Sequence, residues 1–273
     1  MGVPALDGSA KGSTMRNRWT VGVVLLILVA CAGTGCVQLP TANADFDYQL
    51  GGAYPPPAGV SIISRDREDA PVAGLYNICY VNGFQAQTEA EGWWLTNHPD
   101  LVLRDAQGNP IKDPDWDELI LDISTASKRD RLAVIVGEWI AGCRTAGFQA
   151  VEIDNLDTYS RSDGRLTQDH AVAFARLLSD RAHASLLAFA QKNSAEIVSR
   201  RAEMGADFVV AEECNRWSEC DVYTAAYGNQ VFVIEYRRAD FDEGCRDFPE
   251  LSIVLRDRLL KPAGTTGYVR DSC

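Results

Sequence analysis

Two acidic stretches decide the fold of this sequence: Val151-Glu152-Ile153-Asp154-Asn155-Leu156-Asp157 and Val210-Ala211-Glu212-Glu213-Cys214. Each one ends a short apolar, β-prone run, Phe148–Val151 in the first case and Phe208–Ala211 in the second. A carboxylate at the end of a buried strand loses hydration, so it needs a compensating role there. Parallel (β/α)8 barrels carry their functional side chains at the C-terminal ends of their strands. The two stretches therefore predict a parallel barrel with an acidic site at its mouth.

Eight short apolar runs favour the closure of such a barrel. The runs are Val60–Ser64, Leu75–Tyr80, Leu119–Ile123, Gln149–Ile153, Leu187–Gln191, Asp207–Ala211, Val231–Ile234 and Thr266–Val269. Apolar residues at helical spacing predict helices between several of them, over Lys128–Thr145, Thr167–His183, Ala195–Met204 and Phe248–Leu260. The segment His98–Asp117 fits no unit, and we expect a hairpin-like excursion there. The fold class predicted is α/β, with a single (β/α)8 TIM barrel over residues 59–273.

The N-terminal sequence predicts an export signal. Arg16 and Arg18 precede an apolar run that is shorter than the roughly 20 residues of a membrane-spanning helix. Leu28-Val29-Ala30-Cys31 resembles a bacterial lipobox, which predicts a signal peptide over residues 1–31 and lipidation of Cys31. A plain signal peptide and lipidation at Cys36 are the alternatives.

Residues 32–58 contain Pro55-Pro56-Pro57 and predict a tether between the anchor and the barrel. We therefore expect an exported protein that is anchored to the cell membrane on its extracellular face, or secreted if it is not lipidated. We also expect a monomer.

The composition limits the partners. The formal net charge of −12 argues against nucleic acid, whose phosphates need Lys/Arg patches. The same charge permits a cationic partner such as an amino-sugar polymer.

The cysteines of the predicted barrel are Cys79, Cys143, Cys214, Cys220, Cys245 and Cys273. An even number in an exported chain is typical of disulfides. A Cys214–Cys220 loop and a Cys245–Cys273 clamp on the C-terminus are the pairs that we expect. A metal site is disfavoured, because the chain has only three His and no CxxC pairs. We expect no cofactor.

Strand alternation selects the inward carboxylates. Residues two apart share a face of a strand, so Glu152 and Asp154 point the same way and Glu213 points away from Glu212. Asp154 and Glu212 are therefore the catalytic candidates, placed across one sugar ring. A glycosidase needs such a pair, with one carboxylate ionised and the other protonated. The alternative for Asp154 and Asp157 is a structural role, in which they cap the next helix or pair with Arg161 and Arg165.

Other polar residues at strand ends are candidates for substrate binding: Tyr80, Asp122, Glu152, Asn155, Asp157, Lys192, Asn193 and Tyr236. A desolvated Lys192 could also form a Schiff base. Nearby carboxylates would keep it charged, so we interpret it as a partner of substrate or carboxylate. For Trp93, Trp94 and Trp116 we expect packing roles.

Several of these strings resemble the motifs of glycoside hydrolase family 114, the endo-α-1,4-polygalactosaminidases. They are Cys79-Tyr80, Leu121-Asp122-Ile123, Val151 to Asp157, Ala182-His183, Lys192-Asn193, Glu212-Glu213-Cys214 and Glu219-Cys220. The resemblance covers about residues 46–270. It implies a (β/α)8 barrel that hydrolyses α-1,4-linked galactosamine polymers, with Asp154 as the nucleophile and Glu212 as the acid/base.

The chain departs from the family pattern over Val81–Gln87, a stretch that we expect to line the cleft and to influence sugar specificity. Two other hypotheses stay open at this point. One is a non-catalytic polysaccharide-binding lipoprotein on the same barrel, and the other is a Schiff-base lyase that uses Lys192.

Overall fold

Eight parallel strands and one antiparallel strand form the main sheet of the computed structural model, which describes residues 37–273. The strands are β1 Phe46–Gln49, β2 Ile62–Asp66, β3 Tyr76–Asn82, β4 Gln85–Ala86, β5 Leu119–Ile120, β6 Ala150–Asp154, β7 Ala188–Lys192, β8 Phe208–Glu212, β9 Val231–Glu235, β10 Ser252–Arg256 and β11 Arg270–Ser272. The main sheet runs β1-β2-β3-β6-β7-β8-β9-β10-β11, and only β11 is antiparallel to its neighbour. The predicted TIM-barrel fold is confirmed.

The helices pack around this sheet. They are α1 Glu91–Asn97, α2 Ala126–Ala146, α3 Gln168–Ala184, α4 Arg201–Met204, α5 Cys220–Tyr227 and α6 Arg238–Asp247, with 3-10 helices at Thr88–Ala90, Pro99–Leu101, Leu156–Arg161 and Ala195–Arg200. The two helices predicted first along the chain are confirmed as α2 and α3. Thr167 caps α3, because its hydroxyl accepts the His170 N–H at 3.2 Å.

Strand alternation divides the apolar side chains into two layers. Phe46, Ile78 and Val210 belong to the layer that fills the barrel interior. Val151 and Val209, each one position away from an inward residue, pack outward against the helices. The inward residue at the C-terminal end of each strand therefore faces the barrel mouth.

Side chains join the two ends of the parallel sheet, β1 and β10. Arg256 is fully buried, and its Nη1 lies 3.5 Å from Asp47 Oδ1. Arg270 places its Nε 3.4 Å from the same oxygen and donates to Asp45 at 2.6 Å. Within residues 37–273 no ladder pairs β1 with β10, so side-chain contacts, these ion pairs among them, connect the two strands.

The barrel begins at residue 46, and the predicted boundary at residue 59 is wrong. β1 lies inside the predicted tether, where nearby prolines masked a four-residue strand. Phe46 and Tyr48 alternate with Asp47 and Gln49, whose polar groups are paired inside the fold. These pairs explain how polar residues occupy a fully buried strand.

One helix prediction and two strand predictions also need correction. The predicted helix Phe248–Leu260 contains β10, because the β-branched Ile253 and Val254 favour a strand. Leu119–Ile123 supplies β5, which pairs with β4 outside the barrel. Thr266–Val269 forms no strand, and the C-terminal strand is β11.

The excursion is confirmed over His98–Asp117. Antiparallel bridges join Arg104 to Pro110, Lys112 to Leu119, and Val102 to Leu121. This folded-back segment follows β3 and reaches the barrel mouth.

Three disulfides fasten the described chain. Cys214–Cys220 and Cys245–Cys273 confirm the two predicted pairs, and Cys79–Cys143 ties β3 to α2. The predicted signal peptide over residues 1–31 and both candidate lipidation sites, Cys31 and Cys36, lie outside the described residues. In residues 37–273 we find no helix with the length and apolar character that a membrane crossing requires.

Candidate active site

Lys192 lies at the centre of the barrel mouth. Its Nζ is 3.3 Å from Glu152 Oε1, 3.4 Å from Asp154 Oδ2 and 3.2 Å from Glu212 Oε2. These residues come from the neighbouring strands β6, β7 and β8, whose inward side chains converge at their C-terminal ends. Burial alone would lower the pKa of Lys192, but the carboxylates raise it well above its ordinary value. The side chain is therefore an ammonium ion.

Glu152 lies beneath the cleft, fully buried, and does not line it. The Tyr48 hydroxyl donates to it at 2.6 Å and the Ser64 hydroxyl at 2.9 Å. Lys192 in turn donates to Tyr48 at 3.0 Å. Burial raises the pKa of Glu152, although Lys192 opposes this effect. The predicted contact of Glu152 with substrate is therefore wrong, and its partner is Lys192.

Asp154 faces the cleft with 18% of its side chain exposed. The Tyr80 hydroxyl donates to Oδ2 at 2.8 Å, and the Asn155 backbone N–H donates to Oδ1 at 2.8 Å. Asn155 adopts a left-handed conformation at φ 67° and donates to Asn82 at 3.0 Å. The turn after β6 thus fixes both oxygens of Asp154.

Glu212 faces the same cleft with 27% of its side chain exposed. Asn193 donates to Glu212 Oε2 at 3.1 Å and accepts the Glu212 backbone N–H at 2.8 Å, while the Tyr236 hydroxyl donates to Oε1. Burial works to raise the pKa of Glu212, but Lys192, Tyr236 and Asn193 outweigh it and lower the pKa. In the free protein Glu212 is therefore ionised at neutral pH.

The two cleft carboxylates lie close together. Both Asp154 Oδ2 and Glu212 Oε2 are within 3.4 Å of the same nitrogen. The two oxygens are consequently no more than about 6.6 Å apart, a range that includes the roughly 5–5.5 Å between the carboxyl groups of retaining glycosidases.

The cleft has a volume of about 660 Å³ and an acidic lining. Its carboxylates are Asp66, Asp113, Asp115, Glu118, Asp154, Asp157, Glu196, Glu212, Glu213 and Glu219, and its cations are Arg161, Lys192 and Arg258. Ten acids face three bases, so the cleft attracts cations. Within residues 37–273 no group of three or more acidic, His or Cys side chains has the geometry to hold a metal.

Six of the eight predicted binding residues line this cleft: Tyr80, Asn155, Asp157, Lys192, Asn193 and Tyr236. Asp157 also forms an ion pair with Arg161 at 2.7 Å, which is the structural role weighed as its alternative. Asp122 is misplaced in the prediction. It accepts from the Ser124 backbone at 3.0 Å and pairs with Lys128 at the start of α2, away from the cleft.

The sequence did not identify several residues of the site. Tyr48 lies on the unrecognised strand β1, and Glu118 directly follows the excursion. Trp116, for which we expected a packing role, is 57% exposed in the cleft, and Trp217 is 60% exposed there. Trp217 lies between Cys214 and Cys220, and the disulfide expected between these cysteines could have indicated a rigid, exposed loop.

Burial raises the pKa of Glu118 to about 7, partly offset by Asn82, which donates to it at 2.8 Å. Glu213 accepts from Arg216 and lies 3.8 Å from Arg258 at the cleft edge. Glu213 therefore lines the cleft, in contrast to the expectation that it points away, although its charge is already paired.

The fold and the paired carboxylates define a class, the TIM-barrel glycoside hydrolases. The model of glycoside-hydrolase family GH114 matches residues 29–273. The chain belongs to this family and is a glycosidase.

Two solved structures share the fold. Ega3 of Aspergillus fumigatus, crystallised in complex with galactosamine, is 22% identical at a TM-score of 0.69, over 88% of this chain and 99% of that one. The glycoside hydrolase domain of PelA from Pseudomonas aeruginosa is 14% identical at a TM-score of 0.57, over 81% of this chain and 98% of that one. No curated protein sequence matches the chain significantly.

Proposed function

We propose that this glycosidase hydrolyses α-1,4-linked galactosamine polymers, with Asp154 as the nucleophile and Glu212 as the acid/base. The observation that carries the proposal is the convergence of both carboxylates on Lys192 inside one acidic cleft. The galactosamine bound to the structurally similar Ega3 supports the choice of sugar.

The chemistry needs one carboxylate on each side of the scissile bond. Asp154, held by Tyr80 and the Asn155 N–H, attacks the anomeric carbon and forms a glycosyl ester. Glu212 gives its proton to the leaving oxygen and then takes one from the water that hydrolyses the ester. We therefore expect retention of the anomeric configuration, which proton NMR of the first product reads directly. An inverted first product would refute the nucleophile assignment.

The lowered pKa of Glu212 imposes a condition on this mechanism. Glu212 must gain a proton before the leaving group departs, and its protonated fraction falls as pH rises. We expect kcat/KM to decrease from about pH 5 to about pH 8.

The charge of the cleft selects the substrate class. An amino-sugar polymer carries ammonium groups, and ten cleft carboxylates against three cations favour its entry. A neutral or acidic polysaccharide gains nothing from this field.

A reducing-end assay on partly de-N-acetylated α-1,4-galactosaminan tests the proposal. Asp154→Asn and Glu212→Gln should each lose nearly all hydrolysis while they keep the circular dichroism of the folded protein. Asp122→Asn is the matched control, because it removes a strand-end carboxylate that lies outside the cleft. Hydrolysis by Asp154→Asn at the wild-type rate would exclude the assignment.

The two alternative hypotheses receive less support. A carbohydrate-binding lipoprotein without activity predicted a carboxylate gap too wide for either glycosidase geometry, and the bound of about 6.6 Å argues against such a gap. A Schiff-base lyase needs a neutral Lys192, whereas its pKa is raised. Borohydride in the presence of substrate should therefore leave no adduct on Lys192.

We also propose that the protein is exported, anchored through Cys31, and monomeric. Cys31→Ala should release it from the membrane fraction into the medium. Release by Cys36→Ala alone would move the anchor to that residue.

A further inference from the structure

Two tryptophans at the edge of the cleft have no packing explanation. Trp116 is 57% exposed and Trp217 is 60% exposed, and both line the cleft that contains Asp154 and Glu212. Large aromatic side chains usually bury most of their surface, so paired exposure around one cleft indicates a surface that binds something.

The two tryptophans reach the cleft from different sides of the catalytic pair. Trp116 lies on the excursion that follows β3, and Trp217 lies in the loop that follows β8. In the sheet, β6 and β7 separate these two strands, and they carry Asp154 and Lys192. A chain that crosses the catalytic centre along this direction therefore meets an indole at each end.

The loop of Trp217 is held rigidly. The Cys214–Cys220 disulfide closes it, and the Trp217 N–H donates to the Glu213 carbonyl at 3.1 Å. Asn215 anchors the loop to the barrel wall, since its N–H donates to Glu235 at 2.9 Å. Arg216 stacks on the indole at 4.7 Å.

The turn of Trp116 is also fixed. Asp113 is almost fully buried, and its Oδ1 accepts the N–H groups of Asp115 at 2.8 Å and Trp116 at 3.2 Å. Gln85 donates to the other oxygen of Asp113 at 2.9 Å, and Arg161 lies 2.6 Å from it. An indole displayed on a fixed backbone loses little entropy when a ligand binds.

We propose that Trp116 and Trp217 are two stacking subsites for sugar units on either side of the bond that is cut. A galactose-type ring has a continuous C–H patch on one face, which suits an aromatic surface. An ammonium group near an indole face adds a cation–π attraction. Two outer subsites favour internal cleavage of a long polymer over removal of terminal units. This inference takes the identity of the sugar from the proposed function, but its test measures binding and not hydrolysis.

The test uses Asp154→Asn as the parent and measures binding of de-N-acetylated α-1,4-galactosamine oligosaccharides of increasing length by calorimetry. Trp116→Ala and Trp217→Ala should each weaken binding of the long chains about tenfold and leave the disaccharide unchanged. Trp217→Phe should recover part of the loss. The matched control is Trp93→Ala, because Trp93 is 44% exposed but lines a separate cavity with Arg67 and Trp139.

Long-chain affinity equal to that of the parent in both alanine variants would overturn the inference. If the alanine variants weaken binding of the long chains but the wild-type protein releases no reducing ends, the proposed hydrolysis fails while the stacking subsites stand. A parent that binds no chain of any length overturns both.

Discussion

Replacement of Lys192 by Met tests the buried charge around which the site is arranged. Met has nearly the same length and no charge, so the change removes the ammonium with little loss of volume. It leaves Glu152 fully buried without the cation 3.3 Å away. Loss of one partner of a buried ion pair costs about 3–5 kcal/mol. Since a domain is typically stable by about 5–15 kcal/mol, the variant should stay folded but be markedly weakened.

The loss should depend on pH in a defined direction. Burial already places the pKa of Glu152 above its ordinary value, and the loss of Lys192 raises it further. A carboxyl whose pKa is raised in the folded state supports folding below its unfolded pKa and loses that contribution as pH rises through the folded pKa. The deficit of Lys192→Met should therefore be small near about pH 4 and largest near about pH 8.

Urea unfolding followed by far-ultraviolet circular dichroism measures this deficit at both pH values. Lys112→Met is the control, because Lys112 pairs with Glu91 at 2.8 Å with 31% of its side chain exposed. That change should cost less than about 1 kcal/mol. Adding Glu152→Gln to Lys192→Met removes the stranded anion and should restore part of the stability. Equal unfolding free energies of Lys192→Met and wild type at about pH 8 would refute the reasoning.

Three further predictions concern other parts of the fold. Cys79→Ala opens a disulfide of sequence separation 64 and should lower the unfolding free energy by about 4 kcal/mol. Cys214→Ala opens a disulfide of separation 6 and should cost only about 2 kcal/mol, because the closed loop is shorter; urea titration measures both values. Glu118 has a pKa raised to about 7, so its support for folding disappears as pH rises through 7. Glu118→Gln should therefore flatten the decline of the unfolding free energy between about pH 5 and about pH 8, and an unchanged slope would contradict the shift. Asp47→Asn leaves the buried Arg256 of β10 without its counter-ion and should lower the unfolding free energy by about 3–5 kcal/mol, as thermal or urea unfolding would show. A change below about 1 kcal/mol would argue against a stabilising role of this ion pair between β1 and β10.

The two cleft carboxylates were predictable because strand alternation is a local property. Asp154 and Glu212 each follow an apolar run that is long enough to show its period, and inward residues at strand ends must meet at the barrel mouth. Lys192, Asn193 and Tyr236 were found because each closely follows the end of an apolar run. The same reasoning fails for Asp122, because its run supplies β5, which pairs with β4 outside the barrel wall.

Residues that depend on distant partners could not be found in this way. Tyr48 lies on the four-residue strand β1, which pairs with β2. The buried Asp47 of the same strand has its arginine partners more than 200 residues further along the chain. Trp116, near the end of the excursion, and Glu118, directly after it, reach the cleft because the excursion folds back towards the barrel mouth. Periodicity carries no information about either arrangement, since both are tertiary.

The charge at the centre of the site connects these observations. Three carboxylates surround one ammonium, so the group carries a formal charge of −2 when every member is ionised. Protonation of Glu152 reduces this negative charge, and its raised pKa favours the protonated form. A cationic sugar above Asp154 and Glu212 relieves it from the other side. Ligand affinity should consequently fall with rising salt, because the attraction that draws the polymer in is partly exposed and therefore screened. The same excess of negative charge that makes the site unstable without Lys192 would favour the binding of a cationic amino-sugar polymer.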